Sequence, residues 1–294
     1  TTEGLDKVDP TDTFGYSTAH WRQRVTGANG IPDYVDVVAW SCDSNWSMEV
    51  DRFGFTEPHP CVSSTYSSSR YKVVVLNLDS TIIGGDTVET DYGLYGQTFP
   101  IEPAAGSQIG YVSRFELRNN WDGAEWRDVS GNNYEANPEM AVWITCAHEF
   151  FHSVQYAMTH TLDNAVSLDN FTIGWIEGCA VLMEERGFPD VDDYVQYIGQ
   201  YFNRPTAPVL TNYGDYYNAL VAMYLYERVP PGASIEYIRR VYLNNYHDPL
   251  PFQPNLEQSA ESVGTRWREI LNGFHAESYY TGARAQSGLF LEDA

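Results

Sequence analysis

Apolar residues along the chain change their spacing about half-way. In the first half the pattern is that of strands. Tyr71 to Leu78 (YKVVVLNL) is β-branched and bounded by Asp79-Ser80, which predicts a strand, and Gln108 to Leu117 repeats the signal with Ile109, Tyr111, Val112, Phe115 and Leu117. Residues 80–106 are rich in Gly, Tyr and Thr and read as loops with short strands. Residues 1–30 read as irregular up to the turn signal Gly27-Ala28-Asn29-Gly30, after which Pro32 opens a helix that runs to about Val50. From Pro138 onward the period becomes helical, over 139–160, 173–187, 191–203, 215–228, 233–244 and 256–276. The polar, turn-rich segment 119–137 lies between the two regimes like a hinge. The pattern therefore predicts an α+β chain, with a mixed α/β lobe carrying a small sheet over 1–137 and a mainly helical lobe over 138–294. A cleft is expected at their junction.

Composition narrows this picture. The 294 residues are 43% hydrophobic and 15% aromatic, enough for a substantial core. No run approaches the roughly 18–20 apolar residues of a membrane span. Forty acidic residues face seventeen basic ones, for a net charge of −23. Such a surface repels phosphate backbones, so nucleic acid is excluded as a partner and an anionic membrane is disfavoured. The expected partner is a protein or peptide substrate, and the chain is expected to be a monomer. Cys42, Cys61, Cys146 and Cys179 form no CxxC pair, which argues against a thiolate zinc site. Their even number suits two disulfides in an oxidising compartment, with buried free thiols as the alternative. The chain begins at Thr1 with no initiator Met or signal peptide, as a processed, secreted protein would. Asn45 and Asn170 each begin an Asn-x-Ser/Thr sequon.

The segment with chemical content is His148-Glu149-Phe150-Phe151-His152, inside the longest apolar helix. Positions i and i+4 stack on one helix face about 6 Å apart, so the two imidazoles reach one metal ion from adjacent turns. Glu149 projects from the edge of that face, where it can take a proton from water on the metal. Phe150 and Phe151 point elsewhere and anchor the helix. Without a metal, the same residues would be two satisfied core histidines flanking a solvated Glu.

Catalytic zinc needs three protein ligands and an open position. A continuation of the motif as His-x-x-Gly-x-x-His would need Gly at 155 and His at 158, and those positions hold Gln155 and Met158. His160 falls off the metal-facing stripe and reads as a surface residue near the helix end. The third ligand is instead expected from Gly174-Trp175-Ile176-Glu177-Gly178-Cys179-Ala180, with Glu177 the donor. Gly178 and Ala180 are small enough for this helix to approach the first, and Trp175 would plug the junction. Glu184, seven residues further on, is the fallback ligand, although a supporting or surface carboxylate is the commoner role for such a residue.

HEFFH followed by WIEGCA resembles the gluzincins, the thermolysin-like zinc peptidases whose third ligand is a Glu on a following helix. The similarity is closest to a group of secreted bacterial metalloproteases of the myxobacterial type. It runs through ANGIPDYVD, YKVVVLNLD, HEFFHSVQYA, WIEGCAVLMEE, YGDYYNALVAMYLYE and FHAESYYTG. The resemblance implies a zincin-like fold, Zn2+ on His148, His152 and Glu177, and Glu149 as the general base of a peptidase. In thermolysin the residue four after the ligand Glu is an Asp that orients the first His. Here that position is Val181, so the partner of His148 must come from elsewhere. By the same pattern Tyr213, just before the helix 215–228, is the candidate oxyanion donor, with Tyr216 and Tyr217 as close alternatives.

Cys146 and Cys179 flank the ligands by two residues each, so a disulfide between them would clamp the two metal-bearing helices, and Cys42–Cys61 would close a separate loop. Calcium is a second candidate cation, on Asp190, Asp192 and Asp193 or near ANGIPDYVD, although neither has an EF-hand register. An edge strand, 108–117, is expected to hold substrate extended by strand addition. Three other functions compete with a secreted endopeptidase. One is an aminopeptidase, although the Gly-x-Met-Glu-Asn amine-capturing segment is missing. The others are a non-catalytic zinc-stabilised binding or adhesion protein, and a latent peptidase whose N-terminal segment or tail, Ala283 to Ala294, fills the cleft.

Overall fold

The β-branched run after Tyr71 and the alternating run that follows Gly110 pair with each other in the computed structural model. The structure describes residues 33–60, 62–63, 66–67, 71–76, 78, 80–83, 86–89, 94–106, 109–119, 121, 124, 133–134, 137–160, 162–163, 167–168, 171–203, 208–211, 216–229, 234–248 and 250–280. The segment 1–30, Cys61, Asn170, Tyr213 and the tail from Ala283 lie outside these residues, as does most of 119–137.

The fold is α+β, with a small mixed sheet and, among the described residues, eight α-helices. Four short strands form two antiparallel pairs, β1 (Val62–Ser63) with β2 (Tyr66–Ser67), and β4 (Ser80–Ile83) with β5 (Asp86–Glu89). The main sheet joins β3 (Lys72–Leu76), β6 (Gly96–Pro103) and β7 (Tyr111–Arg118) in the order β3-β7-β6. β3 runs parallel to β7 and β6 runs antiparallel to it. β7 is thus the central strand, with Val112, Ser113 and Phe115 to Arg118 buried. The segment 108–117 therefore cannot offer an edge to a substrate, because both sides of its backbone are already paired. The edges of this sheet among the described residues are β3 and β6, and Pro100 and Pro103 fit on β6 because proline cannot donate to a second ladder.

Helix α1 (Asp33–Asn45) runs into a π-helical turn, Trp46–Arg52. α2 (Pro138–Ala157) starts with Pro138 in its first turn, where a missing N–H costs nothing. Nearly every side chain of α2 is buried, so it is the central helix, packed on α1, β6, β7 and α3 (Ile173–Gly187). Phe150 packs on Trp46 and Tyr71, and Phe151 packs on Phe55 and Tyr242, so both anchor the helix as expected. Thr172 caps α3 by accepting from the Trp175 N–H at 3.3 Å. β8 (Leu162–Asp163) and β9 (Ser167–Leu168) pair between α2 and α3.

The remaining helices are α4 (Val195–Phe202), α5 (Ala219–Arg228) after a 3-10 turn at Tyr216–Asn218, α6 (Glu236–His247), α7 (Phe252–Ser262) and α8 (Trp267–Ser278). The single helix expected over 256–276 is two. Gly264 takes φ +82°, while the Thr265 N–H reaches the Ala260 carbonyl and the Gly264 N–H reaches the Glu261 carbonyl, both at 3.0 Å. That is a Schellman C-cap, which an amphipathic period cannot reveal.

The proposed Cys146–Cys179 clamp is not formed; both are buried free thiols, and Cys42 is free as well. Cys146 lies within hydrogen-bonding reach of Cys42 and Ser41 on α1, and Cys179 within reach of the Tyr242 hydroxyl. Asn45, the first of the two sequons, is fully buried. It belongs to a buried polar stripe with Ser41 and Glu49, and burial pushes the Glu49 carboxyl well up while His148 pulls it down. Among the described residues no helix is long and apolar enough to cross a membrane.

Candidate metal centre and active site

The i, i+4 spacing does on α2 what helical geometry requires. The rings of His148 and His152 lie 4.6 Å apart between centroids, at 83° to each other. Across from them, Glu177 on the second turn of α3 places its Oε2 3.1 Å from His148 Nε2 and 3.5 Å from His152 Nε2. Ligand atoms of the three residues all lie within 4.8 Å of one another. A tetrahedral ion bound at about 2.0–2.1 Å separates its ligand atoms by about 3.3 Å, and the separations from Glu177 Oε2 to the two Nε2 atoms bracket that value. Among the described residues this is the only group of three or more His, Cys, Asp or Glu side chains placed to hold a metal. The acidic run read for calcium does not converge, because Asp190 is exposed while Asp193 is buried.

The outer nitrogen of each imidazole is also held. His148 Nδ1 donates to Glu184 Oε1 at 2.6 Å, and His152 Nδ1 to Gln155 Oε1 at 2.8 Å. A proton fixed on each Nδ1 leaves each Nε2 lone pair facing Glu177, the tautomer a metal needs. Glu184 is thus the partner of His148 that Val181 could not be. It lies seven residues, about two helical turns, after Glu177 and so shares its face. Gln155 is held in turn, donating to the Ile176 carbonyl and the Tyr242 hydroxyl, both at 2.9 Å. His160 stays apart, bonded to the Tyr246 carbonyl at 2.7 Å.

The same carboxyls couple to the charge of the imidazoles. Burial alone would push both imidazoles down, yet Glu177 and Glu184 push His148 well up, and Glu177 pushes His152 up. Burial would raise the Glu177 carboxyl, and the two histidines instead hold it far below the usual carboxylate range. Burial pushes Glu184 to about 8 and Asp193, beside it, to about 6.

Glu149 is 6% exposed, and its Oε2 accepts from the Thr98 hydroxyl of β6 at 2.6 Å. This contact depends on Gly96: a Cβ there would stand 2.8 Å from Glu149 Cγ and 2.7 Å from Thr145 Cγ2. Two cavities flank Glu149 and His148. One, of about 230 Å3, runs along Gly96 to Thr98 and includes His152, Glu177 and Tyr156. The other, of about 620 Å3, extends past Glu184 and Asp193.

Tyr216 lines both cavities. Its ring lies 5.8 Å from that of His148 and stacks on Tyr197 at 5.0 Å. Burial pushes its hydroxyl up to about 12, so it stays protonated and able to donate. Of the three tyrosines weighed from the sequence, Tyr213 lies outside the described residues, and Tyr217 is buried, its hydroxyl 3.5 Å from the Pro208 carbonyl. The turn bearing Tyr216 sits directly on Gly178, where a Cβ would meet the Asn218 backbone at 2.8 Å. Gly178 therefore admits this turn rather than the α2 contact its small size suggested.

Sequence reasoning missed Thr98 and the inward-facing role of Gln155. Gln155 carried a signal, standing three residues after His152 on the same helix, whereas Thr98 carried none. Comparison with protein-family models, with curated proteins and with solved structures returns no match.

Proposed function

We propose that the chain is a zinc-dependent endopeptidase of the gluzincin type, the family its sequence resembles. The observation that carries this reading is the convergence of His148, His152 and Glu177 on one point, with the Glu149 carboxylate beside it in a cleft. The donor set of two imidazoles and a carboxylate fits zinc and leaves a position open. A bound zinc would supply a Lewis acid that polarises the scissile carbonyl and makes water acidic near neutral pH.

The chain's own residues do the rest. Glu184 and Gln155 keep both imidazoles in the ligating tautomer. Thr98 fixes one oxygen of Glu149 and leaves the other to accept the proton of the attacking water and pass it to the leaving amine. Tyr216 donates its hydroxyl to the developing oxyanion. The unpaired side of β6, next to the cleft at Gln97 and Thr98, suits an extended peptide added as a strand. The zincin-like reading of the fold is supported by this placement of sheet edge, ligand helix and Glu-bearing helix around one cleft.

Replacing Glu149→Gln tests the reading. Zinc content is expected to stay the same, while cleavage of casein or a quenched peptide falls by about a hundredfold to ten-thousandfold. Equal turnover in both proteins would remove Glu149 as base. Bound zinc with no turnover in the native chain would favour the non-catalytic binding protein.

A further inference from the structure

Two cysteines that spacing assigned to other partners meet between the first helix and the ligand helix. α1 packs along α2, and two ring contacts set the register between them: Trp40 with Trp143 at 5.8 Å and Trp46 with Phe150 at 6.0 Å. Cys42 stands four residues before Trp46, and Cys146 four residues before Phe150. Each thiol therefore lies one turn back on the face that makes the second contact, in the layer between the two ring pairs. There the two side chains come within hydrogen-bonding reach of each other. Cys146 is fully buried, whereas Cys42 is half-buried and open to small solutes. Cys179, on α3, is turned to the Tyr242 hydroxyl instead.

We propose that Cys42 and Cys146 are a disulfide site, closed by a small disulfide oxidant such as oxidised glutathione, that clamps α1 to the helix carrying both histidines. The Cys42 thiol, the accessible one, loses its proton and attacks the oxidant, expelling one reduced thiol. Cys146 then loses its proton and attacks the Cys42 sulfur of the mixed disulfide, expelling the second. One S–S bond forms in the protein and one breaks in the oxidant, which takes up both electrons and both protons. The new bond joins residues about a hundred apart, a separation at which a cross-link strongly restricts the unfolded chain. Two residues along a helix is about 200° of rotation, so the bond forms on the side of α2 away from His148. Zinc binding is therefore unaffected by it.

Mapping the thiols tests this. The zinc-loaded full chain is incubated with oxidised glutathione or with a phosphine reductant, remaining thiols are alkylated, and the digest is read by mass spectrometry. A Cys42–Cys146 linked peptide is expected only after oxidation, with equal zinc content in both samples. The oxidised chain should also melt about 5 °C or more above the reduced one. Cys42→Ser should abolish the link and the gain in Tm while melting like the reduced native chain, and Cys61→Ser should keep both. Linkage of Cys42 to Cys61 or of Cys146 to Cys179 would overturn the site. So would four alkylated thiols after oxidation, or a glutathione adduct on Cys42 that never resolves. A Cys42–Cys146 bond with no gain in Tm would overturn the clamp.

Discussion

Gln155 does for His152 what Glu184 does for His148, and the two differ in what lies behind them. Glu184 brings a carboxyl group, whereas Gln155 is neutral and locked by the Ile176 carbonyl and Tyr242. Gln155→Leu would keep the volume and the fold but free the His152 ring to rotate. Zinc affinity is expected to fall about 10–100-fold, read by competition with a chromophoric chelator, with the helical circular dichroism unchanged. Unchanged affinity would mean that His152 needs no such partner. What could be read at this scale depended on sequence distance. His148, Glu149 and His152 follow from one helical turn, whereas the small residues around Glu177 were a weaker guide, since Gly178 packs on the Tyr216–Asn218 turn. Thr98 lies 51 residues from Glu149 and is brought there only by the packing of β6 on α2. Tyr216 stood among three neighbouring tyrosines, and spacing alone could not separate them.

At the scale of elements, the close approach of β6 to α2 is set by Gly96. A methyl group at that position would fall 3.0 Å from Glu149 Oε1 as well as against Thr145. Gly96→Ala should therefore push the Glu149 carboxylate away from Thr98 while leaving the three metal ligands in place. The expected result is lower kcat at unchanged zinc stoichiometry. Loss of zinc along with activity would show instead that the whole of α2 had moved. The pattern of apolar positions located every helix that carries the site, because amphipathic and fully apolar helices announce themselves over several turns. It failed where a local device overrode the period, as at the Gly264 cap between α7 and α8. It also read a central strand, β7, as an edge. β7 has the stronger β signal because it is central and buried on both faces, while the usable edge is the Pro-containing β6. The cysteine pairing failed for a related reason: flanking the ligands by two residues says nothing about which face a thiol takes, and Cys146 turns toward α1.

Across the whole molecule, the acidic excess and the site point the same way. A chain of net charge −23 attracts cations, and the cavity of about 620 Å3 beside His148 is lined by carboxyls and phenols as well as by Leu94 and Ile144. Gly96, His148, Glu149 and Tyr216 line both cavities, so the proposed metal group, the proposed base and the β6 edge share one surface, as the peptidase reading requires. The claim on which the rest depends is that His148, His152 and Glu177 together hold zinc. Zinc K-edge X-ray absorption on the purified full chain tests it directly. The expected result is one zinc per chain with only nitrogen and oxygen neighbours at about 2.0–2.1 Å, imidazole scattering included. A sulfur neighbour at about 2.3 Å, or protein that takes up no zinc, would contradict it.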